Sequence, residues 1–353
     1  MSNYNVSTIY SSDTRSFHQI DLLLQQEGLH RDQNLDYTCG IYDDDMNIIA
    51  TGSCFSNTLR CLAVSSSYQG EGLLAKVITH LIEFQHNRGN RHLFLYTKCD
   101  TAQFFGDLGF YEIIRIANQI VFMENRRSGF SEYLEALSGK NPTPQLSLQS
   151  KIAAIVVNTN PFTLGHQYLV EKAAAENDLL HLFIVSEDAS LIPFSVRKKL
   201  VIEGTSHLHN IIYHDTGPYI ISNATFPSYF QKDEAAVITS HAELDLEIFK
   251  KISSTLGIQR RYVGEEPTSQ VTGLYNQIMH TKLTQAGIDC IIIPRKEING
   301  KIISASIVRK ALQDDAIHVL KDLVPETTFR FFQSEEALPI IQALKNSENV
   351  IHY

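Results

Sequence analysis

The sequence predicts an α/β protein of two domains, and three observations lead to that prediction. The chain has 353 residues, more than one hydrophobic core usually organises, and 43% of them are hydrophobic, which is enough for two cores. A polar, proline-bearing stretch at residues 138–147 interrupts the hydrophobic pattern. After it, short apolar runs alternate with helical patterns, which is typical of a parallel sheet covered by helices. We therefore predict domains at residues 1–137 and 148–353, joined by a linker.

Composition excludes several classes of protein. The net charge is −9 and no block of basic residues occurs, which argues against a nucleic-acid partner. The N-terminus lacks the pattern of a secretory signal, and no run approaches the roughly 18 apolar residues that a membrane span needs. The five cysteines include no C-x-x-C pair, which fits neither a disulfide framework nor a zinc site. We expect a cytoplasmic protein with no membrane or nucleic-acid partner.

In the first half, a strand, a loop and a helix follow one another. Residues 59–64 read as a strand, 65–72 as a small polar loop and 74–84 as a helix, and a further strand is predicted at 93–96. A loop between a strand and a helix is a common place for a ligand, so its sequence matters for function.

This loop contains Gln69-Gly-Glu-Gly72, which resembles the pyrophosphate loop of the GNAT acetyltransferases. In that family, backbone amides of the loop hold the pyrophosphate of coenzyme A, although Leu74 stands here at a position that is small in the family. Residues 104–111, F-F-G-D-L-G-F-Y, are similar to another segment of the same family. The resemblance implies that Gln69, Gly70 and Gly72 bind a coenzyme A-like group, or that the domain keeps the fold without acetyltransferase chemistry.

The second half alternates between strands and helices. A helical stripe at 167–175 follows the first strand, and ligands in such sheets bind beyond the carboxyl ends of the strands. The loops after Val157 and Ile293 are therefore the expected ligand site. The predicted strands lie at 152–157, 180–185, 211–213, 235–238, 261–263 and 288–293.

The loop after the strand 152–157 reads Asn158-Thr-Asn-Pro-Phe-Thr-Leu-Gly-His166. Pro161 keeps a helix from starting early, and Gly165 removes side-chain bulk where the backbone has to approach a ligand. His166 then lies at a helix N-terminus, where free N–H groups and the helix dipole favour a phosphate. From these residues alone, His166 either donates a hydrogen bond to a phosphoryl oxygen or only caps the helix.

Thr163-Leu-Gly-His166 resembles the T-x-G-H signature of the nucleotidyltransferase superfamily, and residues 303–309 match its second signature, I-S-x-S-x-x-R. The resemblance implies a Rossmann-like domain that cleaves ATP between the α- and β-phosphates, with His166, Arg309 and Thr163 as catalytic residues. Arg309 is expected in the first turn of a helix, forked onto the β- and γ-phosphates. The implied ATP-binding residues are Asn160, Pro161, Phe162, Gly165, Gly264, Ile303, Ser304 and Ser306.

A GNAT-like domain followed by a nucleotidyltransferase domain resembles the citrate lyase ligase family over essentially the whole chain. The most specific stretches are residues 160–166, 220–230, 263–267 and 303–309. The resemblance implies that acetate and ATP form acetyl-adenylate and pyrophosphate. The acetyl group then passes to the thiol of a dephospho-coenzyme A-like prosthetic group on the acyl carrier protein of citrate lyase, and AMP is released. Mg²⁺ is also implied, held mainly by phosphates and water.

The acetate site is the least defined part of this interpretation. Ser222, Thr225 and Tyr229 offer hydroxyls that suit a carboxylate, but residues 226–230 read equally well as core. No metal ligand is predicted.

Two other functions stay open at this stage. A nucleotide-cofactor adenylyltransferase of the pantetheine-phosphate or nicotinamide type would use the same motifs, but it needs an extra basic cluster to recognise a phosphate. Arg197, Lys198 and Lys199 are the candidates for such a cluster, or they form a solvated helix face. The third possibility is a non-catalytic ATP-binding module that docks to citrate lyase.

Overall fold

A computed structural model describes residues 4–32, 34–140, 149–188, 190–220, 226–227, 229, 234–265, 270–298 and 301–347. Its strands are β1 (Val6–Thr8), β2 (Tyr37–Tyr42), β3 (Ile48–Phe55), β4 (Thr58–Val64), β5 (Phe94–Thr97), β6 (Tyr111–Ile116), β7 (Ile120–Glu124), β8 (Ile152–Val157), β9 (Leu179–Ile184), β10 (Ile211–Asp215), β11 (Arg260–Gly264), β12 (Asp289–Ile293), β13 (Glu297–Ile298) and β14 (Lys301–Ile302). Its α-helices are α1 (Thr14–Gln26), α2 (Leu73–Asn87), α3 (Ala102–Asp107), α4 (Gly129–Ser138), α5 (Leu164–Glu176), α6 (Phe194–Gly204), α7 (Glu234–Leu256), α8 (Gln270–Gln285), α9 (Ala305–Gln313), α10 (Glu326–Phe332) and α11 (Leu338–Asn346).

The chain divides into two compact units. The N-terminal unit consists of residues 1–132 and 226–244, and the C-terminal unit consists of residues 133–225 and 245–353. The segment 226–244, which lies inside the second predicted domain, thus groups with the N-terminal unit. Residues 234–244 of helix α7 belong to the N-terminal unit, and residues 245–256 belong to the C-terminal unit.

The N-terminal unit is built on a mixed sheet with the strand order β1-β2-β3-β4-β5-β7-β6. Its neighbouring strands are antiparallel except β4 and β5, which are parallel and pair only at Thr58 with Phe94 and Leu59 with Leu95. Helix α2 packs closely on β3, because a Cβ atom on Gly52 would lie 2.5 Å from a methyl carbon of α2. Glycine is therefore required there for the helix to approach the sheet.

The C-terminal unit contains a parallel sheet with the order β10-β9-β8-β11-β12. Alternate residues of the central strand β8, Ala153, Ile155 and Val157, enter a core that also contains Val170 of α5 and Leu312 of α9. Both faces of such a sheet are covered, which explains why its strands read as continuous apolar runs.

The predicted fold class is confirmed, since the protein is α/β with a mixed sheet and an all-parallel sheet. One predicted strand is wrong: residues 235–238 lie in helix α7. The reason is that a short apolar run cannot be distinguished from a buried helix segment by periodicity. In the part of the chain that is described, no helix is long and apolar enough to cross a membrane.

Candidate active site

A cleft of about 640 Å³ lies in the C-terminal unit, at the carboxyl ends of β8, β11 and β12. The chain runs from β8 through β9 to β10 on one side of the sheet, and it then forms β11 and β12 on the other side. The boundary between β8 and β11 is therefore the point where the strand order reverses, which is where open α/β sheets bind ligands. The loops after Val157 and Ile293, which the sequence singled out, both line this cleft.

His166 lines the cleft, and Thr163 holds its imidazole in place. Thr163 is the N-cap of α5, where its Oγ1 accepts a hydrogen bond from the His166 backbone N–H at 3.3 Å. The Thr163 backbone N–H donates to His166 Nδ1 at 3.1 Å. Because Nδ1 accepts this hydrogen bond, the proton of the neutral ring resides on Nε2. His166 can therefore donate a hydrogen bond through its Nε2–H.

The charge state of His166 supports the same conclusion. Burial lowers the pKa of His166 to about 4, and the positive charge of Arg295 acts in the same direction. The imidazole is therefore neutral near pH 7. A neutral imidazole in a fixed orientation can donate its Nε2–H to an oxygen as negative charge develops there.

Arg309 connects the two sequence motifs. It lies in the second turn of α9 and not in the first turn as predicted, because Ser304 is the N-cap and the helix begins at Ala305. The side chain is 3% exposed and lines the cleft, and its Nη1 donates to the carbonyl oxygen of Asn160 at 2.5 Å. Burial lowers the pKa of Arg309 to about 10, so it stays a cation at neutral pH.

The start of α9 forms one wall of the cleft. Ser304 Oγ accepts a hydrogen bond from the backbone N–H of Ile307 at 3.3 Å and lies 2.9 Å from Ser306 Oγ. Ile303 and both serines line the cleft, as does Gly165. A Cβ atom on Gly165 would lie 3.5 Å from the Ile303 carbonyl oxygen, which is an ordinary contact. The structure therefore brings the two predicted motifs together at one site.

The predicted nucleotide contacts differ in their placement. Gly264, at the end of β11, lines the cleft, whereas Pro161 and Phe162 do not. Phe162 is fully buried and packs against α6, since a Cβ atom on Gly204 would lie 2.5 Å from its ring. Phe162 thus serves the core beneath the loop and Pro161 is buried, and a contact of either with a nucleotide stays a prediction.

Three cations of the cleft were missed from the sequence: Arg261 on β11, which is paired with Asp245 at 3.4 Å, and Arg295 and Lys296. Arg295 and Lys296 follow β12 and line the cleft beside His166 and Arg309. Arg295 Nε donates to the Glu265 carbonyl oxygen at 2.8 Å. Such a group of cations suits a polyphosphate. The available signal was a basic pair just after an apolar strand, in a loop that had already been selected.

The basic residues that the rival adenylyltransferase would need, Arg197, Lys198 and Lys199, make contacts within the protein. Arg197 is fully buried and donates to the backbone carbonyls of residues 158, 185, 187 and 192 at 2.5–3.0 Å. Lys198 contacts Asp215 and Lys199 contacts Glu336, each at 2.7–2.8 Å. Arg197 therefore fixes the loops around it, while Lys198 and Lys199 remain partly exposed and are paired with carboxylates.

The predicted acetate residues lie partly outside the part of the chain that the structure describes. Ser222 and Thr225 lie outside the described residues. Tyr229 belongs to the N-terminal unit, where it is 5% exposed and donates its hydroxyl to the Tyr96 carbonyl oxygen at 2.5 Å. Tyr229 thus donates its hydroxyl to the backbone of β5, and its ring packs with residues of α1, β3 and β4, while its assignment to acetate stays a prediction.

The predicted coenzyme A loop of the N-terminal unit is an exposed backbone turn. Gly70 and Gly72 have φ angles of +89° and +74°, and a Cβ atom on either would meet no atom within 4 Å. Glycine is therefore favoured by conformation and not by space. Gln69 Nε2 lies 3.5 Å from Glu27 Oε2, and Glu27 Oε1 accepts from the Ser66 N–H at 3.0 Å. A carboxylate thus already contacts one end of this loop.

No metal site of side chains was found among the residues that the structure describes. No group of three or more His, Cys, Asp or Glu side chains in that part of the chain is arranged to hold an ion.

The fold and the site define the class of protein: an α/β enzyme whose parallel-sheet domain presents a cationic cleft at the reversal of strand order. The model of the citrate lyase ligase C-terminal domain matches residues 152–332. A citrate (pro-3S)-lyase ligase from Haemophilus influenzae is 37% identical over 92% of this chain and 97% of its own length. One from Escherichia coli is 35% identical over 92% of each chain. The chain belongs to the citrate lyase ligase family, as the sequence motifs predicted.

Solved structures of smaller proteins also match part of the chain. A GNAT-family acetyltransferase from Staphylococcus aureus covers 35% of this chain and 99% of its own, with 16% identity and a TM-score of 0.29. Escherichia coli ElaA covers the same share of this chain and 99% of its own, with 12% identity and a TM-score of 0.31. These similarities concern the fold and not the activity.

Proposed function

We propose that this enzyme activates citrate lyase by acetylating the thiol of the prosthetic group on its acyl carrier protein, with acetyl-adenylate as the intermediate. The observation that carries the proposal is the oriented Nε2–H donor of His166, which shares a cleft with Arg309, Arg295 and Lys296. That combination supports displacement at a phosphorus atom, and the relatives named as citrate (pro-3S)-lyase ligases support the substrate.

In the first half-reaction, an acetate oxygen attacks the α-phosphorus of ATP. The bond from that phosphorus to the bridging oxygen of the β-phosphate breaks, and pyrophosphate leaves. The His166 Nε2–H donates to a non-bridging α-phosphoryl oxygen, where charge increases in the transition state. Arg309, Arg295 and Lys296 balance the charge of the β- and γ-phosphates, which become the leaving group.

In the second half-reaction, the thiol sulfur attacks the acetyl carbonyl carbon. The bond between the acetyl group and the phosphate of AMP breaks, AMP leaves with that oxygen, and the thiol proton passes to water. The exposed turn at Gln69, Gly70 and Gly72 is the candidate holder of the prosthetic arm, through its backbone amides. Glu27 beside it disfavours a tightly bound pyrophosphate and favours transient contact.

ATP and Mg²⁺ are parts of the proposal. The cations and N–H groups of the cleft fit a triphosphate, whereas the described side chains offer no cage for a metal. A magnesium ion that enters with the triphosphate, held by phosphate oxygens and water, would supply further charge neutralisation.

The test is acetate-dependent exchange of pyrophosphate into ATP, measured without citrate lyase. The proposal expects exchange that saturates with acetate and is absent without it. A second measurement adds deacetylated citrate lyase and follows the return of citrate cleavage together with release of AMP. Exchange driven by phosphopantetheine or nicotinamide mononucleotide in place of acetate would establish the rival adenylyltransferase.

A further inference from the structure

The first turn of chain beyond β8 carries buried polar atoms that the catalytic assignments leave unexplained. Thr159 and Asn160 are 2% and 3% exposed, and both line the cleft. Within the described residues, Thr159 Oγ1 and both polar side-chain atoms of Asn160 have no hydrogen-bond partner. An unpaired buried polar atom costs free energy, and because these atoms belong to residues that line the cleft, a ligand bound there can pair with them.

The backbone of this turn is fixed by two buried guanidinium groups. Arg197 Nη1 donates to both the carbonyl oxygen and Oδ1 of Asn158, at 2.8 and 2.9 Å. Arg309 Nη1 donates to the carbonyl oxygen of Asn160 at 2.5 Å. Thr159 between them has a φ of +51°, a conformation that β-branched residues rarely adopt. The surrounding hydrogen bonds therefore hold Thr159 and Asn160 in the cleft wall against an unfavourable backbone geometry.

We propose that the Thr159 hydroxyl and the Asn160 side-chain amide form the subsite for a small carboxylate, the acyl substrate of adenylation. The inference rests on the proposed function. It differs from the acetate residues expected from the sequence, Ser222, Thr225 and Tyr229, and it moves Asn160 from the implied ATP contacts to the acyl substrate. Both groups are neutral donors, which suits a single small anion, while the charged side chains of the cleft suit the triphosphate. The subsite also lies a few positions before His166, whose Nε2–H is the proposed donor to the reacting phosphate.

The experiment measures KM for acetate and for ATP in the pyrophosphate exchange assay. Thr159→Val removes the hydroxyl but keeps a β-branched side chain, so it retains the backbone preference and most of the volume. Because a hydrogen bond to a charged group is lost, KM for acetate should rise about ten- to a hundredfold while KM for ATP stays at the wild-type value. Thr159→Ser keeps the hydroxyl and should keep the wild-type KM for acetate.

Thr328→Val is the matched control. Thr328 in α10 is fully buried, its Oγ1 also has no hydrogen-bond partner among the described residues, and it does not line the cleft. This variant should therefore leave both KM values unchanged. Asn160→Asp is a second test of the subsite, because a carboxylate at this position would repel acetate and raise the KM for acetate.

Each outcome decides the proposal. A rise in KM for acetate alone, restored in Thr159→Ser, supports the subsite. A rise in KM for ATP in Thr159→Val, alone or together with KM for acetate, would assign the turn to phosphate binding and overturn the proposal, and so would unchanged values in Thr159→Val and Asn160→Asp. If the wild-type enzyme shows no acetate-dependent exchange, the proposed function itself fails and the subsite fails with it.

Discussion

Two loops of this enzyme each join a strand to a helix, but they present their polar groups in opposite ways. The loop at residues 158–166, which here includes the first turn of α5, places side chains in a cleft, and hydrogen bonds from Thr163, Arg197 and Arg309 fix the His166 ring and the backbone of the loop. The loop at residues 65–72, between β4 and α2, ends in exposed glycines and offers mainly backbone.

The difference between the two loops indicates that one contributes to the rate of the reaction and the other to binding. A donor held by its neighbours can stabilise a transition state, because its position needs no reorganisation when charge develops. An exposed turn binds through N–H groups that any chain of suitable conformation would offer, so it contributes to binding more than to rate. Substitutions in the first loop should therefore change adenylation, and substitutions in the second should change transfer to the carrier protein.

The largest expected effect is that of His166→Ala. Loss of an oriented transition-state donor should lower the rate of acetate-dependent exchange by about 10²–10³-fold. Circular dichroism should remain as in the wild type, because the Thr163 hydroxyl still caps α5 through the backbone N–H of residue 166. Exchange is measured at saturating acetate and ATP, so that the change reports on rate.

His207→Ala is the control for this variant. His207 has a half-exposed side chain whose contact is to Glu171, and it does not line the cleft. Its removal should leave exchange unaltered. Near-wild-type exchange in His166→Ala would mean that His166 only caps the helix, and the contrast between the two loops would disappear.

A smaller loss is expected for Arg309→Lys. Lysine keeps the charge but not the planar fork, so it cannot donate to the Asn160 carbonyl and to phosphate oxygens in the same geometry. Turnover with ATP should fall about tenfold, while the affinity for AMP, which lacks the β- and γ-phosphates, should change little. Arg330→Lys, at an exposed ion pair with Glu326, should change neither quantity. An equal loss for ATP and AMP would contradict the assignment of Arg309 to the outer phosphates.

The loop at residues 158–166 was largely predictable from sequence, because its features are local. A strand end, a proline, a capping threonine and a glycine lie within a few positions of His166, and each has a conformational meaning of its own. The second motif was placed correctly for the same reason. Only the turn that holds Arg309 was wrong, since the helix begins one residue after Ser304.

The remaining features depend on contacts between distant parts of the chain. The burial of Arg197 could not be predicted, since a basic residue on a helix is usually solvated and its acceptor carbonyls come from separate loops. The placement of Tyr229 in the N-terminal unit depends on a segment that returns from the second half of the chain. Periodicity within a short window contains no information about either contact.

The second loop is tested by Gly72→Asp. Gly72 is the N-cap of α2 at a φ of +74°, so aspartate adds conformational strain and a negative charge where a phosphate of the prosthetic arm is expected. Acetylation of the carrier protein should fall severalfold, by the order expected for about 1 kcal/mol, while pyrophosphate exchange persists. The two activities are measured on the same preparation.

Gly89→Asp provides the comparison, because Gly89 is also exposed, has a φ of +86° and lies just beyond the other end of α2. It carries the same strain and charge away from the loop, so both activities should persist. Loss of exchange in Gly72→Asp would show that the two units do not divide the reaction as proposed. Unaltered acetylation would assign the prosthetic arm to another surface.

The last prediction concerns stability in acid and not activity, and it distinguishes loss of function in the cleft from unfolding of the sheet beneath it. His181 and His214 of β9 and β10 are fully buried, with Nδ1 of the first 2.8 Å from Nε2 of the second. Burial lowers the pKa of His181 to about 4, and burial together with His181 lowers the pKa of His214 to about 3.

An unfolded histidine titrates near pH 6.5, so on acidification the unfolded state takes up protons before the folded state does. The contribution of the pair is therefore complete above about pH 6.5 and is lost as the pH falls toward 4. Between pH 7 and 5.5, each imidazole should lower the free energy of unfolding by about 1 kcal/mol, which urea denaturation can measure at both values. Replacing both residues by leucine removes the two titrating groups without leaving one unpaired, so this variant should lose less stability over the same interval. If it shows the wild-type pH dependence, other groups govern acid unfolding, and any loss of exchange at pH 5.5 has to be traced to the cleft itself.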